Sequence, residues 1–186
     1  MIYSTQGVPE EHLGSTYDNF DWEGKKLLRQ YLEQLIKGTR ETGMVFIGKP
    51  GVGKTHLMVA TYFALQQADV LPGSDVVFFD WQCMLNYLRA GFDLRIRADM
   101  AVEKLCSAKY LILDDIKPES QGEFWKQILE LIFEFCYNNK TRILLSTNAD
   151  SRDELVSRWG LMDYHVSRLS HMADIVVLKG KDRRVE

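Results

Sequence analysis

Cysteine is scarce in this chain of 186 residues: there are three, Cys83, Cys106 and Cys136. None forms a close C-x-x-C pair, so a zinc site has no support and buried, reduced thiols are expected. Long apolar runs are lacking too. No uninterrupted stretch reaches the roughly 20 residues that cross a bilayer. Met1-Ile2-Tyr3-Ser4-Thr5-Gln6 lacks the basic-then-apolar layout of a signal peptide. A cytoplasmic protein without a membrane partner is the expectation. Positive charge is not in excess either. The net charge of −3 argues against a large electrostatic footprint for nucleic acid, though not against a local one. What remains is an ordinary composition, 46% hydrophobic and 26% charged, and enough length for one domain with a substantial core.

The stretch around which the rest is organised is Gly48-Lys49-Pro50-Gly51-Val52-Gly53-Lys54-Thr55. It reads G-x-x-x-x-G-K-T, the P-loop pattern. A triphosphate needs many N–H donors packed around its oxygens, and glycines permit the backbone conformations that supply them. In this pattern Lys54 reaches the β- and γ-phosphates and the Thr55 hydroxyl ligates Mg²⁺. The context agrees. Met44-Val45-Phe46-Ile47 reads as a buried strand, and His56 to Leu65 holds no Gly or Pro and reads as a helix. Strand, loop and helix in that order aim a helix N-terminus at the phosphates. The loop, with His56 after it, is the candidate ATP/ADP site.

Residues 1–15 read as a loose lead-in. Tyr17 and Phe20 flank a polar turn before a helix from about Trp22 to Lys37, whose apolar face is Leu27, Leu28, Tyr31, Leu32, Leu35 and Ile36, and which ends at Gly38. The two aromatics either line a nucleotide base or simply pack under that helix. Further strands are expected at Val76–Phe79, Tyr110–Leu113, Thr141–Leu145 and Asp174–Leu178. Helices are expected at about 82–89, 96–107, 151–158 and 163–171. Another, carrying Phe124, Ile128, Leu131, Ile132 and Phe135, follows a capping box at Ser120 and Glu123. Leu71-Pro72-Gly73-Ser74 reads as a turn. Alternating strands and helices imply a parallel sheet with right-handed crossovers.

Asp114 and Asp115 follow an apolar strand 60 residues beyond Lys54, a Walker B arrangement. The first acid is expected to hold Mg²⁺ and the second, Asp115, to polarise an attacking water. Asn148 ends the next strand, where an amide meets the γ-phosphate or that water. Arg168, on a later helix, is either a salt-bridging surface residue or an arginine finger reaching a neighbouring subunit's γ-phosphate. Arg158, Arg183 and Arg184 compete for phosphate sensing.

Taken in order, Thr16-Tyr17-Asp18-Asn19-Phe20, the P-loop, Leu111 to Asp115, Ser146-Thr147-Asn148, Ser167-Arg168-Leu169 and Leu178 to Arg184 resemble the AAA+ ATPases. Within them the likeness is to the DnaC/DnaI-type helicase loaders and their IstB-type relatives. The resemblance implies an α/β P-loop fold whose five-stranded parallel sheet runs 5-1-4-3-2; where many AAA+ proteins carry a helical lid after the fifth strand, little or no lid is expected here. It implies one AAA+ domain over residues 16–186, ATP at a subunit boundary, Asn148 as sensor 1, Arg168 as the finger and Arg183 in the sensor 2 region. Tyr164 stands where many relatives carry a second arginine. The implied function is a slow, assembly-dependent ATPase of DNA replication. Its partners are a homo-oligomer formed with ATP, single-stranded DNA and a replicative helicase. An IstB-type transposition helper is the alternative. A P-loop kinase for a small acceptor, with Arg89 to Arg97 as its basic segment, is a third reading.

Overall fold

Five short apolar segments pair into one sheet with both faces buried. In the computed structural model, which describes residues 7–68, 75–90, 100, 102–103, 105–117 and 122–183, they are β1 (Gly43–Ile47), β2 (Val76–Asp80), β3 (Tyr110–Asp114), β4 (Arg142–Thr147) and β5 (Ala173–Val177). All four pairings are parallel, and the order is β2-β3-β4-β1-β5, the expected 5-1-4-3-2 seen from the other edge. The order puts β1, which feeds the P-loop, between β4 and β5, with β3 one strand further away.

Strand alternation sorts the core into two layers. Met44, Phe46, Val76, Phe78, Ile112 and Leu144 face α1 (Lys26–Ile36) and α2 (Lys54–Gln67). Val45, Ile47, Val77, Phe79, Leu111, Leu113, Ile143 and Leu145 face the opposite layer. That layer contains α3 (Trp81–Ala90), α4 (Glu123–Asn139), α5 (Arg152–Trp159) and α6 (Asp163–Met172). With both faces covered, the strands read as apolar runs rather than alternating ones.

Several boundaries differ from the sequence reading. Helix α1 begins at Lys26, not Trp22, because Gly24 sits at φ +67° in a turn closed by the Lys25 N–H on the Trp22 carbonyl. Leu27, expected on its apolar face, is 59% exposed, while Leu28, Leu32 and Leu35 are buried. The stop at Gly38 holds, its N–H bonded to Leu35 and its φ at +70°. Helix α4 buries Ile128 and Ile132 as expected and adds Leu129, Phe133 and Cys136, while Leu131 and Phe135 are only partly buried and the Phe124 side chain lies outside the described ones. Cys106 and Cys136 are buried free thiols as expected, but Cys83 is exposed. The turn at Leu71–Ser74 and Ser120 of the expected capping box lie outside the described residues, as do Arg184 and residues 91–99. The described residues between 100 and 106 are helical, within the expected 96–107 helix.

Candidate functional site

The P-loop takes its shape from glycines at two close approaches. Gly53 caps α2 at φ +95°, and a Cβ there would lie 2.9 Å from Phe20 Cε2. Gly51 is at φ +78°, and its Cβ would overlap the Asp182 carboxylate at 1.8 Å. Both positions need a residue that tolerates the left-handed region and has no side chain. Lys54 then opens α2, 7% exposed, and its Nζ donates to the carbonyls of Gly48 at 2.7 Å and Lys49 at 2.8 Å. The ammonium is thus held under the arch of its own loop.

The carboxyl ends of β3 and β4 face this loop. Asp114 is 3% exposed, accepts a hydrogen bond from Ser146 Oγ and is hydrogen-bonded by the Thr55 side chain. Burial pushes its carboxyl above the usual carboxylate range; the Ser146 and Thr55 hydroxyls oppose the shift, and the charges of Asp115 and Asp80 add to it. Asp115 follows at φ +55°, its N–H donated to Ser146 Oγ at 2.9 Å and its carboxylate paired with Lys117. Asn148 follows β4, and its carbonyl accepts from Arg158.

A cleft of about 410 Å³ lies between these elements. It brings together nine expected residues, Pro50, Gly51, Gly53, Lys54, Thr55, His56, Asp115, Asn148 and Arg183, and Asp114 is joined to its wall through Thr55. Gly48, Lys49 and Val52 instead line an adjoining hollow of about 340 Å³ beside Leu178 and Lys179. Arg183 arrives from the end of the chain. Its N–H donates to the Gly51 carbonyl at 3.3 Å, its guanidinium bonds Asp21 at 2.6 Å and lies 5.4 Å from the Phe20 ring.

Tyr17 and Phe20 are not on the cleft wall. The Tyr17 hydroxyl meets Thr61 Oγ1 at 2.7 Å, its ring stands edge-on to Trp22, and Phe20 is 4% exposed behind Gly53. In the structure both rings pack against the loop and helix, Phe20 buried and Tyr17 half-buried. Arg168 is also away from the cleft of its own chain. Its guanidinium lies 5.6 Å from the Tyr137 ring and 5.8 Å from the Tyr164 ring, and both rings are exposed.

A loop of this geometry facing two strand-end acids is an ATP-binding arrangement, and comparison with known proteins agrees. A family model described as IstB-like ATP binding protein matches residues 16–186. The chain belongs to the IstB-like ATP-binding proteins. This IstB-like protein is 22% identical over 159 residues to the replicative helicase loader DnaC of Buchnera aphidicola subsp. Acyrthosiphon pisum (strain APS), with 81% of this chain and 62% of that one covered. Among solved structures, a DnaC helicase loader matches with TM-score 0.74 and 24% identity, covering 92% of this chain and 100% of that chain. A replication initiator DnaA bound to AMPPCP and single-stranded DNA matches with TM-score 0.71 and 19% identity, over 94% and 51%. The fold is that of an AAA+ P-loop protein. The chain spans 50% to 62% of the length of the curated relatives it matches.

Three cleft residues escaped the sequence reading as chemical participants. His12 enters from a 3₁₀ turn, Glu10–His12, in the segment read as a loose lead-in; three residues carry no periodicity to detect. Ser146 was visible only as part of Ser146-Thr147-Asn148, yet it links both acids. Lys117 had a usable signal, a cation two residues after the second acid of a strand-end pair.

Proposed function

We propose that this IstB-like protein hydrolyses ATP as an assembly and serves DNA replication in the manner of a helicase-loader ATPase core, acting in the cytoplasm on single-stranded DNA, a replicative helicase, or both. The observation that carries the reading is the direct link between loop and strand: Thr55 bonded to buried Asp114, with Asp115 and Asn148 on the same cleft. Mg²⁺ fits this pair. It prefers oxygen ligands and keeps several waters, so one or two protein oxygens suffice. When bound, the ion would supply positive charge that offsets the charge of the phosphates, with Thr55 and Asp114 as the residues that would hold it. Lys54 would bind the β- and γ-phosphates, Asp115 would orient the attacking water, and Asn148 would fix that water or the γ-phosphate. Arg183 would sense the nucleotide from the rim. Arg168 would reach a second copy's cleft, which is consistent with its distance from its own.

DNA binding would belong to the assembly. One subunit of net charge −3 offers little field, and several aligned copies offer more. Among the described residues no helix is long and apolar enough to cross a membrane. The family match over residues 16–186 also supports a second reading, an ATPase that assists a transposase. A small-acceptor kinase gains no observation; most of its basic segment, Arg89 to Arg97, lies outside the described residues.

The test measures ATP affinity and turnover with and without single-stranded DNA, with Lys54→Ala as control. Expected are a loss of affinity of about tenfold or more in Lys54→Ala, DNA-stimulated turnover in wild type, and DNA binding that rises with ATP and falls with salt. Unchanged affinity in Lys54→Ala would sink the nucleotide assignment, and phosphate transfer to a nucleoside would replace the ATPase reading by the kinase one. Stimulation of a purified transposase, with no effect on a replicative helicase, would select the second reading.

A further inference from the structure

Two side-chain cations of the cleft wall, Arg183 and Lys117, are each held by an acid, and the two pairs differ in what their opening would release. Arg183 is held by Asp21, which is not on the cleft wall, so freeing Arg183 exposes nothing to the chemistry. Lys117 is held by Asp115, which is on the wall. The backbone keeps the second pair together. Ile116, fully buried, donates its N–H to the Ser146 carbonyl at 2.8 Å and accepts from Thr147 Oγ1 at 2.5 Å. With Ile116 pinned to the end of β4, its two neighbours are left on the open side, facing the same cleft. The Lys117 side chain is 56% exposed and that of Asp115 35%, so solvent screens the pair. Such pairs are weak and open readily. A polyphosphate offers an ammonium more negative charge than one carboxylate does.

We propose that Lys117 is a γ-phosphate-dependent gate on Asp115, a deduction that rests on the ATPase reading above. Without a γ-phosphate, Lys117 occupies the Asp115 carboxylate. With a nucleoside triphosphate in the cleft, Lys117 exchanges that carboxylate for terminal phosphate oxygens and leaves Asp115 free to accept a hydrogen bond from water. A diphosphate ends too early to draw Lys117 away, so the gate favours triphosphate over diphosphate. Lys117 is therefore a nucleotide contact and, toward Asp115, a positioning residue.

The experiment is an equilibrium titration of the full chain with ADP and with a non-hydrolysable β,γ-methylene analogue of ATP. In Lys117→Ala the analogue should bind about fivefold more weakly while ADP changes less than about twofold. Lys117→Arg should restore the preference. Asp115→Asn removes the acid that competes for Lys117, so it should tighten the analogue, and that gain should vanish when Lys117→Ala is added. A gain that persists in the double variant would mean simple repulsion between Asp115 and phosphate, and would overturn the gate. An unchanged analogue-to-ADP ratio in Lys117→Ala would overturn it as well. If Lys54→Ala abolishes nucleotide binding in the same assay, those results count against the gate alone; if Lys54→Ala binds like wild type, the nucleotide reading itself has failed.

Discussion

In the cleft, the cations rest on oxygen: Lys54 on the carbonyls of Gly48 and Lys49, Lys117 on Asp115, Arg183 on Asp21. On the outer side of α4 and α6, Arg168 lies instead near two exposed tyrosine rings, Tyr137 and Tyr164. Cation–π contacts at exposed sites are worth about 0.5–1 kcal/mol. Among the described residues no carboxylate pairs with Arg168, so its charge is available to a ligand. Groups held by oxygen inside the cleft suit exchange with phosphate in the same chain. A cation presented on rings, away from its own cleft, suits a partner's phosphate. The difference teaches that the proposed catalytic machinery has an inward half in the cleft and an outward half that consists of Arg168 alone, and each is testable separately.

The largest expected effect breaks the outward half. In Arg168→Ala, turnover at high protein concentration should fall about a thousandfold, the lower range for a missing finger, with ATP affinity nearly intact. Mixing Arg168→Ala with Lys54→Ala subunits should restore activity, because mixed assemblies contain interfaces pairing an intact loop with an intact finger. If dilute monomers hydrolyse ATP as fast per subunit as concentrated protein, Arg168 is a surface residue and the comparison collapses to one site.

The next effect tests the inward half. Asp115→Asn keeps the size of the side chain and removes the charge that polarises water. Turnover should drop about a hundredfold while Mg-ATP still binds, in a single-turnover assay at saturating nucleotide. Wild-type turnover would assign water positioning to another cleft residue.

The site was not equally legible throughout in the sequence. Buried parallel strands write themselves as apolar runs, and the residues just past β1, β3 and β4 are chemical because strand ends converge on one edge. That is why the loop, the two acids and Asn148 could be placed in order, and why the sheet order followed from the resemblance they carried. What pairs across long separations was hidden. Arg183 meets Asp21 over 162 residues, and the short tail after β5 returns to Gly51 without any repeat or pattern to announce it. Gly24 shows the same limit locally: an amphipathic pattern runs through it, but a left-handed turn wins over the pattern.

The smallest effect concerns stability and sharpens the cost side of the comparison. Burial raises the Asp114 carboxyl above its ordinary value of 3.8. The folded chain therefore keeps this proton more tightly than the unfolded chain does, so ionising Asp114 works against the fold. The cost is absent below the ordinary carboxylate range, grows as pH climbs from there to the raised value, and is complete above it. Asp114→Asn removes it. At pH 7 the variant should melt higher, by about 2–4 °C for each kcal/mol relieved, and the gain should disappear at pH values under 3.8. The same protein should lose Mg-ATP affinity, as expected where a functional group is kept at the expense of stability. Arg168→Met, on the exposed rings, should shift the melting temperature little and without this pH dependence. A lower melting temperature for Asp114→Asn at pH 7 would mean that the hydrogen bonds from Ser146 and Thr55 outweigh desolvation, and that the inward half is held together as strongly as it is poised to react.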